Sequence, residues 1–407
     1  MLDATKRVVV VGAGHAGVEL AAALRQRGFA GAIDLVSDEP QLPYQRPPLS
    51  KEYIKRPGNP LMLKPAQFYA EQKVTLHAGI RAEAVDRVAH TVRLSTGETL
   101  GYDHLVLATG ARNRRPPVPG IDHPDVIELR SLADAERIVA RIGGWKRVAI
   151  VGGGFIGLEA AGLLTTMGIA CDVIEMAPRL MGRAVSPTVS AWFRDFHHAH
   201  GVQLHMPQQV AAVRHERGRA IVELAGGDLV DADAVLLAAG VVPNAELAFL
   251  SGLVVDNGIV VDAMLSTSDP DVSALGDCAN YPNAHLSAMA RLESVQNATD
   301  QARALAARLT GEAKPYDALP WFWSIQGDAR LQIAGLSKPD LAEVVRGEPS
   351  TGKFSVFLFN GDRLQAVESV NAPADHMAAR RLIAQNVPVT RAAAADLSVD
   401  LKALLAG

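Results

Sequence analysis

Apolar positions near the start of the chain are continuous rather than alternating, which is typical of a strand buried on both faces of a parallel sheet. Residues 7–11 form such a run, a glycine-rich turn follows, and residues 17–27 are rich in alanine and leucine. A second apolar run occupies residues 33–36. This order of strand, turn, helix and strand predicts a parallel βαβ element.

The same pattern occurs a second time along the chain. The segment RVVVVGAGHAGVE from Arg7 aligns with RVAIVGGGFIGLE from Arg147. A helix over residues 157–167 and a strand over 171–174 complete the second element, and LVLATGA from Leu105 resembles VLLAAGV from Val235. The repeat predicts an α/β fold with two Rossmann-like dinucleotide-binding domains.

The remaining segments have a different pattern. Short alternating segments over residues 73–100 and 202–230 predict small antiparallel layers, and strand-like aromatic runs begin after Pro320. We therefore expect three domains. Their predicted bounds are 1–111 with 242–319 for a discontinuous first domain, 112–241 for a second, and 320–407 for a smaller C-terminal α+β domain.

Composition excludes several classes of protein. The 407 residues are 48% hydrophobic and carry a formal charge of −4, so no global field attracts nucleic acid or anionic membranes. The first residues lead directly into a strand without a signal-peptide pattern, and we expect a cytoplasmic protein. Cys171 and Cys278 are far apart in sequence, which argues against a redox disulfide, a zinc site or an iron–sulfur cluster.

The first glycine loop has the spacing of a dinucleotide-binding turn. Gly12, Gly14 and Gly17 follow a strand and open a helix, where backbone amides can face a pyrophosphate. Asp38 follows at about 20 residues, where such sites place a carboxylate on ribose hydroxyls. The alternative is an ordinary glycine turn of a βα unit.

The second loop repeats this chemistry. Its predicted nucleotide-binding residues are Gly152, Gly154, Ile156 and Gly157, with Glu175 at the end of the next strand. A carboxylate repels a 2′-phosphate, so Glu175 favours NADH over NADPH. We interpret Arg179 and Arg183 as solvated rather than phosphate-binding.

A proline-rich segment, PYQRPPLSK from Pro43, lies between the two loops. Its prolines favour an extended chain, and Ser50 is placed to cap a helix that begins at Lys51. An ammonium group beside a flavin tunes the charge near the flavin N1 and N5 atoms. The alternative is a surface turn with a solvated lysine.

Further motifs connect these features to a known family. Besides both glycine loops and the proline segment, they are LVLATG from Leu105, DNGI from Asp256, STSDP from Ser266, GDC from Gly276, ESVQNA from Glu293 and PWFWS from Pro320. These motifs span nearly the whole chain. In them the sequence resembles the putidaredoxin reductase-like ferredoxin reductases of bacterial monooxygenase and dioxygenase systems. That family shares the glutathione-reductase fold.

The resemblance implies FAD on the first loop and NADH on the second. It places Glu159 at the nicotinamide site beside Lys51, and we predict these two as catalytic residues. Trp323 is placed near the flavin. The positions implied to contact FAD are Ala16, Asp38, Lys51, Ala82, Arg130, Asp277 and Val295. The alternatives are a helix-capping role for Asp277, a helix-dipole role for Glu159 and a core position for Trp323.

The implied activity is hydride transfer from NADH to FAD, followed by single-electron transfer to a [2Fe–2S] ferredoxin. That ferredoxin would serve a haem-thiolate monooxygenase or a Rieske-type oxygenase. Candidate docking cations are Arg291 and the arginines within residues 112–115. The alternatives are a reductase for rubredoxin or monodehydroascorbate, and an NADH-sensing FAD-binding protein resembling apoptosis-inducing factor. A disulfide reductase is disfavoured because no cysteine lies in the proline segment.

The chain departs from the family motifs at two positions, and it contains one histidine-rich tract. Where the family commonly continues Ser-Asp-Gln, this chain has Ile325 and Gln326 after the serine, and Gln45 stands where an acid is frequent. The histidine tract at residues 197–200 is predicted to be a solvated helix face. No metal site is expected.

Overall fold

The structure is a computed structural model that describes residues 2–405. In chain order the helices are α1 (His15–Gln26), α2 (Glu52–Lys55), α3 (Ala66–Glu71), α4 (Leu132–Ile142), α5 (Phe155–Thr166), α6 (Pro187–Ala199), α7 (Glu246–Leu250), α8 (Val295–Leu309), α9 (Pro373–Ala384) and α10 (Arg391–Ala395). Short 3₁₀ helices occupy Pro47–Ser50, Gly276–Cys278, Pro349–Thr351 and Ala403–Leu405.

The strands of the first half are β1 (Arg7–Val11), β2 (Ala32–Ser37), β3 (Val74–Ala78), β4 (Ala82–Asp86), β5 (Thr91–Leu94), β6 (Thr99–Gly101), β7 (His104–Leu107), β8 (Ala111–Asn113), β9 (Val126–Glu128), β10 (Arg147–Val151), β11 (Ala170–Ile174) and β12 (Gln203–His205). Those of the second half are β13 (Val210–Glu216), β14 (Arg219–Leu224), β15 (Leu229–Ala232), β16 (Ala234–Leu237), β17 (Val241–Pro243), β18 (Ile259–Val260), β19 (Val272–Ala274), β20 (Ala279–Asn283), β21 (Ala288–Ala290), β22 (Trp321–Gln326), β23 (Ala329–Gly335), β24 (Ala342–Glu348), β25 (Lys353–Asn360) and β26 (Arg363–Val370).

The chain forms two compact units. The first comprises residues 2–45, Pro60–Arg112 and Val242–Ala318. Its parallel sheet has the order β19-β7-β1-β2-β3, and α1 packs against α8. The run of valines in β1 is fully buried in this sheet, as its continuous apolar pattern predicts.

The second unit comprises Arg46–Asn59, Asn113–Val241 and residues 319–405. It repeats the parallel sheet in the order β12-β11-β10-β16-β9 and adds an antiparallel sheet in the order β22-β23-β26-β25-β24. Helix α9 packs on β23 and β26. The predicted fold class is confirmed, while the division into three domains with the bounds given above stays a prediction.

Both nucleotide-loop helices begin earlier than their predicted starts. Gly14 and Gly154 are the N-cap residues, because their carbonyls accept the first helical hydrogen bonds from Val18 and Leu158. The glycine loops are therefore the first turns of α1 and α5. Among the described residues, no helix combines the length and apolar character needed to cross a membrane.

A buried carboxylate anchors α6 to the antiparallel sheet. Both carboxylate oxygens of Glu368 accept the Ser186 amide at 2.9 Å, and Oε2 also accepts the Ser186 hydroxyl at 2.6 Å. That hydroxyl in turn caps α6 by accepting the Val189 amide. Burial raises the pKa of Glu368 to about 7, above its ordinary 4.5.

The raised pKa of Glu368 predicts a loss of stability with rising pH. Between about pH 4.5 and 7 the unfolded chain releases this proton while the folded chain retains it, so the free energy of unfolding falls by about 3 kcal/mol. Urea unfolding of the wild type and of Glu368→Gln at pH 5 and pH 8 measures this loss. The substitution should reduce the difference in the free energy of unfolding between pH 5 and pH 8. An unchanged difference in the variant would contradict the raised pKa of Glu368.

Candidate functional sites

Three glycines give the first loop its shape, two through close packing and one through open space. A Cβ on Gly12, whose φ is +112°, would lie 2.1 Å from the Ala108 carbonyl oxygen, and one on Gly17 would lie 2.0 Å from the Gly12 oxygen. These two positions need glycine for packing. Gly14 differs, because apart from its chain neighbours and its own helix, no atom of residues 2–405 lies within 4 Å of its ideal Cβ.

The first turn of α1 borders this open space. No side chain of the described residues caps α1 at Gly14, whereas Ser294 caps α8 by accepting the Asn297 amide at 3.0 Å. The N-terminus of a helix attracts anions. The loop therefore fits a pyrophosphate at Gly14.

Other predicted FAD residues of the first unit surround the loop. A Cβ on Gly276 would lie 3.1 Å from the Ala16 Cβ and 3.8 Å from the Ala298 Cβ. The loop, the 3₁₀ helix that contains Asp277 and the first turn of α8 with Val295 thus lie together. Asp277 itself is half-buried.

Asp38 lies one residue beyond β2, and its side chain is 63% exposed. The Ile80 amide donates to the Ser37 carbonyl at 2.8 Å, which places the start of β4, at Ala82, in the same region. Asp38 is therefore at the correct strand end for a ribose ligand. Its role stays a prediction.

The second loop repeats the geometry of the first. A Cβ on Gly152 would lie 2.3 Å from the Ala238 oxygen, and one on Gly157 would lie 2.1 Å from the Gly152 oxygen. At Gly154 the space is again open, apart from chain neighbours, among residues 2–405, and no described side chain caps α5. Ile156 is 45% exposed on the first turn. This loop fits a second dinucleotide.

Glu175 is held against the second loop by backbone amides. Its Oε2 accepts the Gly153 amide at 2.7 Å, and its Oε1 accepts the Ala177 amide at 2.7 Å. Paired strand registers show that Ser37, not Asp38, is the residue equivalent to Glu175 in the first unit. The first unit therefore has a serine at the position of Glu175, and its carboxylate, Asp38, comes one residue later.

The interpretation of Arg179 as solvated is wrong. Its Nη1 donates to the Val185 carbonyl at 2.6 Å, and the residue is half-buried, because the segment after β11 folds back on itself. Arg183 is exposed, as expected.

Glu159 forms the centre of a buried polar cluster in the second unit. It is 4% exposed, and its Oε2 accepts the Lys51 ammonium at 2.5 Å and the Ser50 hydroxyl at 2.9 Å. Its Oε1 accepts the Ser324 hydroxyl at 2.8 Å and the Ile325 amide at 3.3 Å. Charge-assisted hydrogen bonds of this kind are short and directional, so they fix the position of a buried carboxylate.

Ser50 and Ser324 have a role in this cluster that differs from the one expected or was not expected. Ser50 does not cap a helix, because its hydroxyl donates to Glu159 and Lys51 is the N-cap residue of α2. Ser50 and Ser324 both lie in motifs already noted, but their common partner is far away in sequence. Ile325 contacts Glu159 through its backbone amide, so this contact does not depend on the type of side chain at position 325.

The second unit also contains the other predicted FAD residues. Trp323 is half-buried, with its ring centroid 5.5 Å from that of Trp321. The Arg130 carbonyl accepts the Arg46 guanidinium at 2.7 Å. Contact of FAD with Lys51, Arg130 and Trp323 stays a prediction.

Arg291 is wrong as a docking cation. Its side chain is 8% exposed, pairs with Glu293 at 2.7 Å and donates to the Asp277 carbonyl at 3.0 Å. Arg112 is paired with Glu246 at 2.7 Å. The sequence could not show the contacts with Asp277 and Glu246 because these partners belong to other segments, whereas Glu293 lies only two residues from Arg291.

Arginines 114 and 115 also have protein partners. Arg114 donates to the Ala239 carbonyl at 2.9 Å. Arg115 pairs with Glu128 at 2.5 Å and with Asp122 at 3.1 Å. Their cationic groups are thus already engaged, although both residues are exposed.

The histidine tract is not a uniformly solvated face. His198 and His200 are exposed, but His197 is fully buried and its Nε2 lies 2.8 Å from Gln326 Oε1. Helical periodicity explains the difference, because His197 lies on the same side of α6 as the buried Phe193, four residues earlier.

Another group brings potential metal ligands together within the described chain: His123, Asp125 and His215, whose ligand atoms lie within 4.8 Å of one another. The two rings are stacked with centroids 3.4 Å apart, which aims their lone pairs along parallel planes rather than at one ion. Arg141 already pairs with Asp125. The expectation of no metal site stays a prediction.

Neither cysteine has the environment of a redox thiol. Cys171 lies in the second unit and Cys278 in the first, and both are free and buried. Burial raises the pKa of Cys171 to about 12 and also raises that of Cys278. Low-pKa, accessible thiolates are what disulfide exchange needs.

Sequence and structure comparisons agree with this geometry. The family model described as pyridine nucleotide-disulphide oxidoreductase matches residues 6–302, and the reductase C-terminal model matches 321–405. Rhodocoxin reductase of Rhodococcus erythropolis is 47% identical over 98% of this chain and 94% of its own length.

Two solved structures superpose with a TM-score of 0.96. One is a ferredoxin reductase from Rhodopseudomonas palustris, 45% identical, with 98% of this chain and 99% of that chain covered. The other is the covalent putidaredoxin reductase–putidaredoxin complex, 38% identical, with 99% of each chain covered.

Proposed function

The chain belongs to the pyridine nucleotide-disulphide oxidoreductase family, and on that premise we propose that it is an NADH-dependent, FAD-containing reductase of a [2Fe–2S] ferredoxin. The observation that carries the proposal is the Lys51 ammonium held by the buried Glu159 carboxylate. This pair is a redox-site arrangement without a redox thiol. The ferredoxin serves an oxygenase.

The chemistry is that of the cofactor, since bound FAD accepts a hydride from NADH and gives up its electrons singly. The chain's own residues bind and orient. The first loop holds the FAD pyrophosphate at Gly14, with Ala16, Asp38, Ala82, Asp277 and Val295 as further contacts. The family resemblance also assigns Lys51, Arg130 and Trp323 to FAD. The second loop holds NADH at Gly154.

Lys51 supplies a fixed positive charge for the negative charge that reduction places on a flavin. Glu159 keeps this ammonium in one position, since its carboxylate is itself fixed by Ser50, Ser324 and the Ile325 amide. Glu175 presents a fixed negative charge at the second loop. A 2′-phosphate is repelled there, which favours NADH.

The relatives support the choice of acceptor. Rhodocoxin reductase and the two ferredoxin reductases of known structure match this chain nearly end to end. A likeness of this extent favours a ferredoxin over rubredoxin, monodehydroascorbate or an NADH-sensing role. We place the activity in the cytoplasm, where NADH is available as the reductant.

The test is electron transfer by the purified holoprotein. Flavin absorbance should accompany the protein, and NADH should support reduction of a [2Fe–2S] ferredoxin, followed by the change in ferredoxin absorbance. NADPH should be less effective by about tenfold or more, the size of one charge repulsion. Glu175→Ala should reduce this preference mainly through a lower KM for NADPH.

The outcomes separate the parts of the proposal. A protein that cannot bind FAD would refute the whole, and equal rates with both nicotinamides in the wild type would refute the role of Glu175. Met176→Ala is a matched control, because this neighbouring side chain is 63% exposed and should leave the preference unchanged. Electron transfer to rubredoxin but to no [2Fe–2S] ferredoxin would refute the ferredoxin as the proposed electron acceptor.

A further inference from the structure

A chain of buried hydrogen bonds leads away from Glu159 inside the second unit. Gln326 Nε2 donates to the Ser324 hydroxyl at 3.2 Å, and Gln326 Oε1 lies 2.8 Å from His197 Nε2. Ser324, Gln326 and His197 are each fully buried. The chain therefore runs from α6 through β22 to the carboxylate that holds Lys51.

Each link of this chain has a fixed direction. A carboxylate only accepts, so the single Ser324 proton goes to Glu159, and the Ser324 oxygen must then accept from the amide group of Gln326. With the amide in this orientation, its oxygen faces His197, whose Nε2 must carry a proton. The opposite amide orientation would place two acceptors on the one Ser324 proton.

The state of His197 agrees with this direction. Burial lowers the pKa of His197, which favours the neutral ring. Its Nδ1 has no hydrogen-bond partner among residues 2–405, so the one ring proton is used at Nε2, toward Gln326. His197 thus acts as a donor that sets the amide orientation.

Close backbone packing maintains the geometry. A Cβ on Gly162, in the same helix as Glu159, would lie 2.5 Å from the Gly327 nitrogen. Helix α5 therefore approaches the end of β22 more closely than any other residue type at 162 would permit. This approach brings Glu159 within hydrogen-bond distance of Ser324.

We propose that Gln326, oriented by His197, is a positioning residue that fixes the Ser324 hydroxyl on Glu159 and thereby fixes the Lys51 ammonium. The inference rests on the proposed function, because it assigns this ammonium to the reducing site. The proposed role is to fix positions alone, and no proton is transferred along this series of hydrogen bonds.

The first test is Gln326→Leu in the FAD-loaded protein. Loss of the amide frees the Ser324 hydroxyl, and we expect the limiting rate of flavin reduction by NADH to fall about fivefold, the size of one hydrogen bond. The dissociation constant of NADH should stay within about twofold, since one misplaced charge affects reduction more than binding. Stopped-flow absorbance separates the two quantities.

The second readout is independent of activity. The midpoint potential of bound FAD, measured with a chemical reductant, should become more negative in Gln326→Leu because the ammonium is held less well beside the reduced flavin. This measurement tests the inference even if NADH does not reduce the wild type. In that case the proposed function fails, and the potential alone decides the role of Gln326.

Two further comparisons exclude a merely structural role. In a Lys51→Met background, Gln326→Leu should slow reduction no further, since the group that it positions is absent. Ser190→Ala is the matched control: Ser190 is buried on α6 like His197, but it donates to the Leu180 carbonyl and has no link to Glu159. It should behave as the wild type does.

A pair at His197 covers the case in which Gln326→Leu does not fold. His197→Phe removes the donor and should reproduce the slower reduction and the lower potential, whereas His197→Gln keeps an N–H donor and should recover both. The inference is overturned if Gln326→Leu and His197→Phe match Ser190→Ala in both the rate of flavin reduction and the midpoint potential. Additive effects of Lys51→Met and Gln326→Leu would also overturn it.

Discussion

Lys51→Met is expected to slow the reduction of bound FAD by NADH about 100-fold, the usual cost of removing one preorganised electrostatic group from a reaction centre. Methionine keeps the length of the side chain and removes the charge. Glu159, 4% exposed, would keep only its hydroxyl and amide donors. Stopped-flow reduction at saturating NADH measures the rate.

The same substitution should lower stability. A buried carboxylate without its cation costs about 3 kcal/mol, so the rate must be measured well below the unfolding temperature of the variant. Lys55→Met is the matched control, because Lys55 is exposed on the same short helix α2. If Lys51→Met and Lys55→Met are reduced equally fast, Lys51 has no role in flavin reduction and serves only as the partner of the buried Glu159.

Gly14→Ala is expected to weaken FAD binding at least about tenfold, or about 1.4 kcal/mol, without lowering the stability of the FAD-free chain. The backbone at Gly14, with φ −76° and ψ −167°, is extended and accepts alanine. The added methyl group meets open space unless a pyrophosphate lies there. Flavin titration and thermal unfolding of the FAD-free chain measure the two quantities.

The second loop supplies the matched partner of this experiment. Gly154→Ala should raise the dissociation constant of NADH and leave FAD bound, because the two loops belong to different units. Gly12→Ala is the opposite control: at φ +112° its Cβ would meet a carbonyl oxygen at 2.1 Å, and the chain should fold poorly. Normal FAD affinity in Gly14→Ala would contradict the assignment of the first loop.

Some errors of the sequence analysis share one physical cause. The tract containing His197 was predicted to be a solvated face, yet a partner on β22 buries one of its histidines. Arg291 was predicted to be a docking cation, yet it donates to the carbonyl of Asp277, 14 residues earlier, besides pairing with the nearby Glu293. A polar side chain gives no sequence signal of its distant partners, so its burial depends on packing that local pattern does not contain.

Local physics controls the repeated strand–glycine–helix unit, the two glycine-rich turns and the carboxylate that follows β11, so these features could be predicted from the sequence. Short-range sterics and strand periodicity fix these. The folded chain alone shows that Ser50, Ser324 and the Ile325 amide hold Glu159 against Lys51. Their contacts join segments far apart in the chain, and the close approach of α5 to the end of β22 at Gly162 brings Ser324 and Ile325 to Glu159.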